Sequence, residues 1–283
     1  MKNIVLLPLS LITIFGLNGM VEDPVGPIEY LKMGTFLQST LANPTQAEVL
    51  PSAALLLAKL GLEGKLEDQI SPQDCVKILD LVGHQKLDPK ARYEALEAEG
   101  ELLIEGKIGA RTADHIERAQ RRLRRCTGQS DSPTAKARAH ALLGLTNIEG
   151  ALASNSYGSL LEAEAHLNIA KGQTADQWAN ALGTFGLARV HHARKEYKKA
   201  YKLFEASSKQ EANPLIRDRS WACMGQMRAN GQHGFRKRSA IPYLERVAKL
   251  EAPEVTDNLL PTDSQVRIKE MKANAVSTLA RLK

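Results

Sequence analysis

A chain of 283 residues is long enough for one large or two ordinary domains, so core size sets no obstacle to stable folding. Ala, Leu, Lys, Arg, Glu and Gln dominate while aromatics make up only 5%, which favours helix over strand and points to an all-α protein. A formal charge of +6 and an isoelectric point near 9.2 leave acidic partners and anionic surfaces open; Lys and Arg alternate with Glu and few rings could stack on bases, which argues against nucleic acid.

Residues 1–19 open with Met1-Lys2-Asn3 and an uncharged, mostly apolar stretch from Ile4 to Leu17, short for a bilayer span but suited to a signal-peptide core. Gly16-Leu17-Asn18-Gly19 offers small residues but no Ala-x-Ala, so an uncleaved inner-membrane anchor stays open beside export to the periplasm or medium. Residues 20–44 read as a capping segment, with a helix expected over Ile28 to Ala42 and prolines at 24, 27 and 44 punctuating it.

From residue 45 to 255 the chain repeats itself. Leu62-Glu63-Gly64-Lys65, Ile104-Glu105-Gly106-Lys107 and Ile148-Glu149-Gly150-Ala151 recur at intervals of about 40 residues, the usual length of a helix-pair unit. Six residues before each glycine stands a small residue: Ala58, Gly100 and Gly144, with Gly225 before Gly231. A further unit centres on Ala188 and lacks the glycine turn. Downstream of each turn a second pattern holds: Cys75-Leu79-Val82, Ala119-Leu123-Cys126, Ala163-Leu167-Ala170, Ala200-Phe204-Ser207 and Ala240-Leu244-Val247. Spacing of i, i+4, i+7 puts each set on one helical stripe, and the small residue leaves room where two helices cross closely. Residues 256–283 supply a terminal helix with Ile268, Met271, Ala275, Leu279 and Leu282 on one side, suited to cap the last unit.

Leu187-Ala188 with Tyr197, Ala200 and Phe204 resembles the tetratricopeptide repeat; Trp221, Met224-Gly225, Gly231 and Ala240 are similar to its Sel1-like relative, with a longer turn between helices. The resemblance implies an α-solenoid of about five helix pairs with capping helices at both ends, serving as an exported interaction scaffold for a protein or peptide. It also implies a binding groove lined by first helices, formed here by Glu94, Glu97 and Glu101, then Arg138, then Phe185, Arg189 and His192, then Arg219, Gln226 and Asn230. The early part of that groove is acidic and the later part basic, so Arg189 and Arg219 could grip a carboxylate.

Chemistry is sparse by comparison. No Gly-x-Ser-x-Gly elbow, phosphate loop, dinucleotide fingerprint or Cys-x-x-Cys is present, so neither an enzyme, a cofactor nor a metal is expected. His191 and His192 are adjacent but lack a Glu at metal-binding spacing. Cys75 and Cys126 sit at stripe positions filled elsewhere by Ala, Ser or Val, which reads as packing, with a disulfide between them the alternative. Basic runs at Arg118 to Arg125, Lys195 to Lys202 and Arg236-Lys237-Arg238 are either solvated helix faces or a basic edge for an anionic polymer or membrane.

Overall fold

The computed structural model describes residues 51–62, 71–105, 112–129, 131–154, 157–211, 214–250 and 263–282. The expected export signal, the 20–44 segment and the turns at Gly64 and Gly106 lie outside the described residues. Among those described, every regular element is a helix and no strand occurs, so the fold is all-α. The helices are α1 (Pro51–Leu62), α2 (Pro72–His84), α3 (Pro89–Glu105), α4 (Ala113–Gln129), α5 (Pro133–Ser154), α6 (Tyr157–Lys171), α7 (Gln177–Ala193), α8 (Tyr197–Ser207), α9 (Pro214–Ala229), α10 (Ile241–Ala248) and α11 (Asp263–Leu282). Short 3₁₀ turns at Gln232–Gly234 and Lys237–Ala240 join α9 to α10. None of these helices is long and apolar enough to cross a membrane.

The chain divides into two compact units, 1–91 and 92–283. In the first, α1 packs on α2, and Ala54, Ala58, Cys75, Ile78, Leu79 and Val82 are buried completely. Ser71 caps α2 by accepting from the Asp74 amide, with Pro72 following, where a missing N–H costs nothing. The exit loop closes around Gln85, whose Oε1 accepts from the Leu87 and Asp88 amides and whose Nε2 donates to the Asp88 carbonyl. Asp88 then accepts from the Ala91 amide at 3.0 Å, starting α3.

The second unit is built from successive helix contacts. Helix α4 packs on α5, α5 on α6, α6 on α7, α7 on α8, α8 on α9, α9 on α10 and α10 on α11; α5 also meets α7, α7 meets α9 and α9 meets α11. All fifteen stripe positions named from the sequence are buried, across both units. Small residues on one helix admit large ones from the next. A Cβ at Gly100 would stand 2.9 Å from Leu123, one at Gly225 2.9 Å from Leu244, and one at Gly144 or Gly186 would overlap Leu167. Leu167 is thus seated between the backbones of α5 and α7.

Two turns compare informatively with the sequence pattern. Gly231, after α9, has φ of 67°, the left-handed conformation glycine adopts at little cost. The α7–α8 turn, which lacks a glycine, keeps the same conformation with Lys195 at φ 63°. The turn geometry survives the loss of the residue type that favours it.

Candidate binding cavity

Helices α7, α9, α10 and α11 enclose a cavity of about 310 Å³. Phe185 and Arg189 line it from α7, Arg219, Ala222, Cys223 and Gln226 from α9, and Leu244 from α10. Glu270, Met271, Asn274 and Ala275 line it from α11. Each wall follows from helix periodicity: 185 and 189 are one turn apart, 219, 222, 223 and 226 fall on one stripe, and 270, 271, 274 and 275 on another. Four of the ten groove residues expected from the sequence therefore meet in one place.

The cavity has an apolar floor and a charged rim. Phe185 is 1% exposed, tilted against Phe204 with ring centroids 5.8 Å apart, and the Arg219 guanidinium lies 5.0 Å from its centroid. Arg189 approaches Glu149 at 3.8 Å. Burial pushes the Cys223 thiol pKa up, against the opposing pull of the Arg189 and Arg219 charges. Two cations, one carboxylate and two amides around Phe185, Leu244 and Met271 can hold a short amphipathic segment carrying an anionic group.

The other six expected residues lie elsewhere. Arg138, on α5, donates to Asp176 at 2.9 Å and stacks over Trp178. Burial disfavours its charge, but Glu97, Asp176 and Glu101 outweigh that and raise its pKa. The acidic residues of α3 are thus matched electrostatically to Arg138, and Glu97 is buried, 3% exposed. Glu94 accepts from Ser132 at 3.3 Å. His192 pairs with Gln232 at 3.1 Å and packs on Tyr197, and Asn230 accepts from Gln226 at 2.9 Å. His191 is only partly exposed and faces Glu196 at 3.0 Å.

Glu270 and Asn274 were missed because α11 was read only for its apolar side, which carries Met271 and Ala275. Glu270 and Asn274 stand one turn apart beside Met271, and that spacing would have found them. Glu99 was missed too: it is fully buried on α3 with Arg118 at 2.5 Å and Arg122 at 3.1 Å, one anion holding two arginines of the α4 run. All three cysteines are free thiols, and burial pushes Cys75 up to about 11 and Cys126 up to about 12, values of inert packing groups. Among the described residues no cluster of three or more His, Cys, Asp or Glu could hold a metal ion.

No family model matches the chain, and no curated protein or solved structure is similar to it.

Proposed function

We propose that this chain is an α-solenoid of about five helix-pair repeats, similar to Sel1-like and tetratricopeptide repeats, acting as an exported scaffold that binds a protein or peptide. The observation that carries the reading is the meeting of Phe185, Arg189, Arg219 and Gln226 in one cavity, because the resemblance to these repeats implies that they share a binding face. Recurrent seating of Leu123, Leu167 and Leu244 on glycines of the preceding helix supports a repeated unit. The cavity's paired guanidiniums above an apolar floor suit a segment with a carboxylate beside a hydrophobic side chain.

Selection from a random peptide library on the immobilised chain, followed by calorimetric titration of the selected peptides, tests this. Selected sequences are expected to combine a carboxylate with an apolar residue. R189E/R219E is expected to weaken binding at least tenfold, R189Q/R219Q by less, with helicity unchanged by circular dichroism. Failure to select peptides, or affinity indifferent to both variants, rejects the cavity as the binding site. A second reading, an envelope-assembly factor contacting an anionic polymer or membrane through a basic edge, draws on the exposed cations beside α8.

A further inference from the structure

Basic residues separated in sequence come together where the α9–α10 connection folds back on α8. Left-handed backbone at Gly231, His233 and Gly234 tightens that connection. Phe235 stacks on Tyr201 of α8 with centroids 4.7 Å apart. Arg228 then locks the pair: its guanidinium lies 4.5 Å from the Phe235 centroid, 5.1 Å from Tyr201 and 4.7 Å from Tyr243, and it donates to the Tyr201 hydroxyl and to Ser239. The Phe235–Tyr201 contact therefore brings the exposed Arg236-Lys237-Arg238 run toward the helix whose start and first turns carry Lys195, Lys198 and Lys202, also exposed.

None of these six pairs with a carboxylate among the described residues. The acids nearby are already committed, Glu196 to His191 and Lys199 and Glu205 to Lys209. With Lys199 and Glu196 counted, the patch carries a formal +6, equal to the net charge of the whole chain. The α4 run is different, since Glu99, Glu117 and Glu162 face four of its five arginines.

We infer that this patch is a docking surface for an anionic lipid bilayer. The second reading above supplies its premise; the peptide reading of the cavity does not. All six cations are exposed, so long cations are spread over an open face instead of lining a channel for a linear polymer. The large exposed apolar side chains, such as Leu152, Leu161 and Val276, lie outside the patch, so attraction there is electrostatic.

Co-sedimentation of the full chain with vesicles of phosphatidylglycerol and phosphatidylcholine, against phosphatidylcholine alone, tests the inference. Binding is expected to require the anionic lipid and to disappear by about 0.5 M salt, where the screening length falls to a few ångströms. Each surface cation contributes roughly fivefold. K198E/K202E/K237E should therefore lower partitioning about 100-fold, while the matched control K86E/K90E/R125E, on exposed cations elsewhere, should retain most of it. Equal loss in both variants, equal binding to neutral vesicles, or capture by soluble polyglutamate without vesicle binding each overturns the inference. Neither variant touches the cavity, so peptide affinity reports separately on the proposed function.

Discussion

Leu167 and Leu244 occupy the same stripe position on α6 and α10, yet their surroundings differ. Leu167 is closed in by Gly144 on one side and Gly186 on the other, with no space for another carbon. Leu244 rests on Gly225 alone and turns its other side to the cavity beneath α11. One packing device thus has two surroundings: Leu167 is clamped between neighbouring helices, while Leu244, also buried at 2% exposed, borders the cavity beside the capping helix. Small-over-large packing by itself does not mark a site; the site arises where the next glycine-bearing helix is replaced by one carrying Glu270, Met271 and Asn274.

Alanine at the two glycines should separate these environments most strongly. At Gly144 the added methyl overlaps the branch carbon of Leu167, which has nowhere to go, so the gain of up to about 1 kcal/mol in helix propensity is overwhelmed. G144A is expected to destabilise the fold by about 2–3 kcal/mol, a fall of several degrees in Tm. At Gly225 the nearest atom is a terminal methyl of Leu244 at 2.9 Å, beside the cavity, with Tyr243 Cβ at 3.1 Å and Leu244 Cγ at 3.2 Å. G225A should stay within about 1 kcal/mol of wild type while reducing peptide affinity. Equal losses of stability in thermal melts would show that Leu244 is as tightly held as Leu167.

The same contrast explains what the sequence could and could not reveal. Glycine or alanine six residues ahead of a turn and an i, i+4, i+7 stripe are local patterns enforced by close helix crossing, so the paired helices and the buried fifteen were legible. Arg189 and Arg219 were expected only through the resemblance, whose groove pattern carries over because helix register fixes the direction in which a side chain leaves its helix. Glu99 was not: a fully buried carboxylate depends on arginines some 20 residues away, and charge in a helical run looks solvated until its partner is placed. Nor could the neutralised α4 run be told from the unpaired cations around α8 without the Phe235 contact.

A second tie strengthens the clamped region and should fail in acid. His140 on α5 and His166 on α6 face each other with Nδ1 atoms 2.8 Å apart, a bond that needs one ring to donate and the other to accept. Burial, then the His166 and Lys136 charges, lower His140 to about 4; burial also lowers His166, with Glu162 opposing and Arg124 assisting. Folded-state pKa values below the unfolded value of about 6.5 mean that the unfolded chain binds more protons. The stabilisation is complete above about pH 6.5 and is lost as pH falls from there toward 4. Between pH 7 and 5 the wild type should lose about 1–2 kcal/mol more than H140Q in urea titrations, with partial exposure discounting the full shift. No such pair joins α9 to α10, so parallel curves for the two proteins would remove the tie from the comparison.

The smallest expected effect concerns the two turns. Gly231 accepts the left-handed conformation freely, whereas Lys195 holds it at a backbone cost of about 1–2 kcal/mol. Replacing Lys195 by glycine relieves that strain but gives the unfolded chain more freedom, so K195G should stabilise by only about 0.5–1 kcal/mol. G231A imposes the same strain on the α9–α10 turn and should cost about 1 kcal/mol. That turn also positions Phe235 and the cations after it, so the G231A/K195G double variant should bind vesicles more weakly than K195G alone, which already lacks one patch cation. A double variant with wild-type stability that binds vesicles as well as K195G alone would mean that Phe235 stacking on Tyr201, not the turn, sets the position of Arg236 to Arg238.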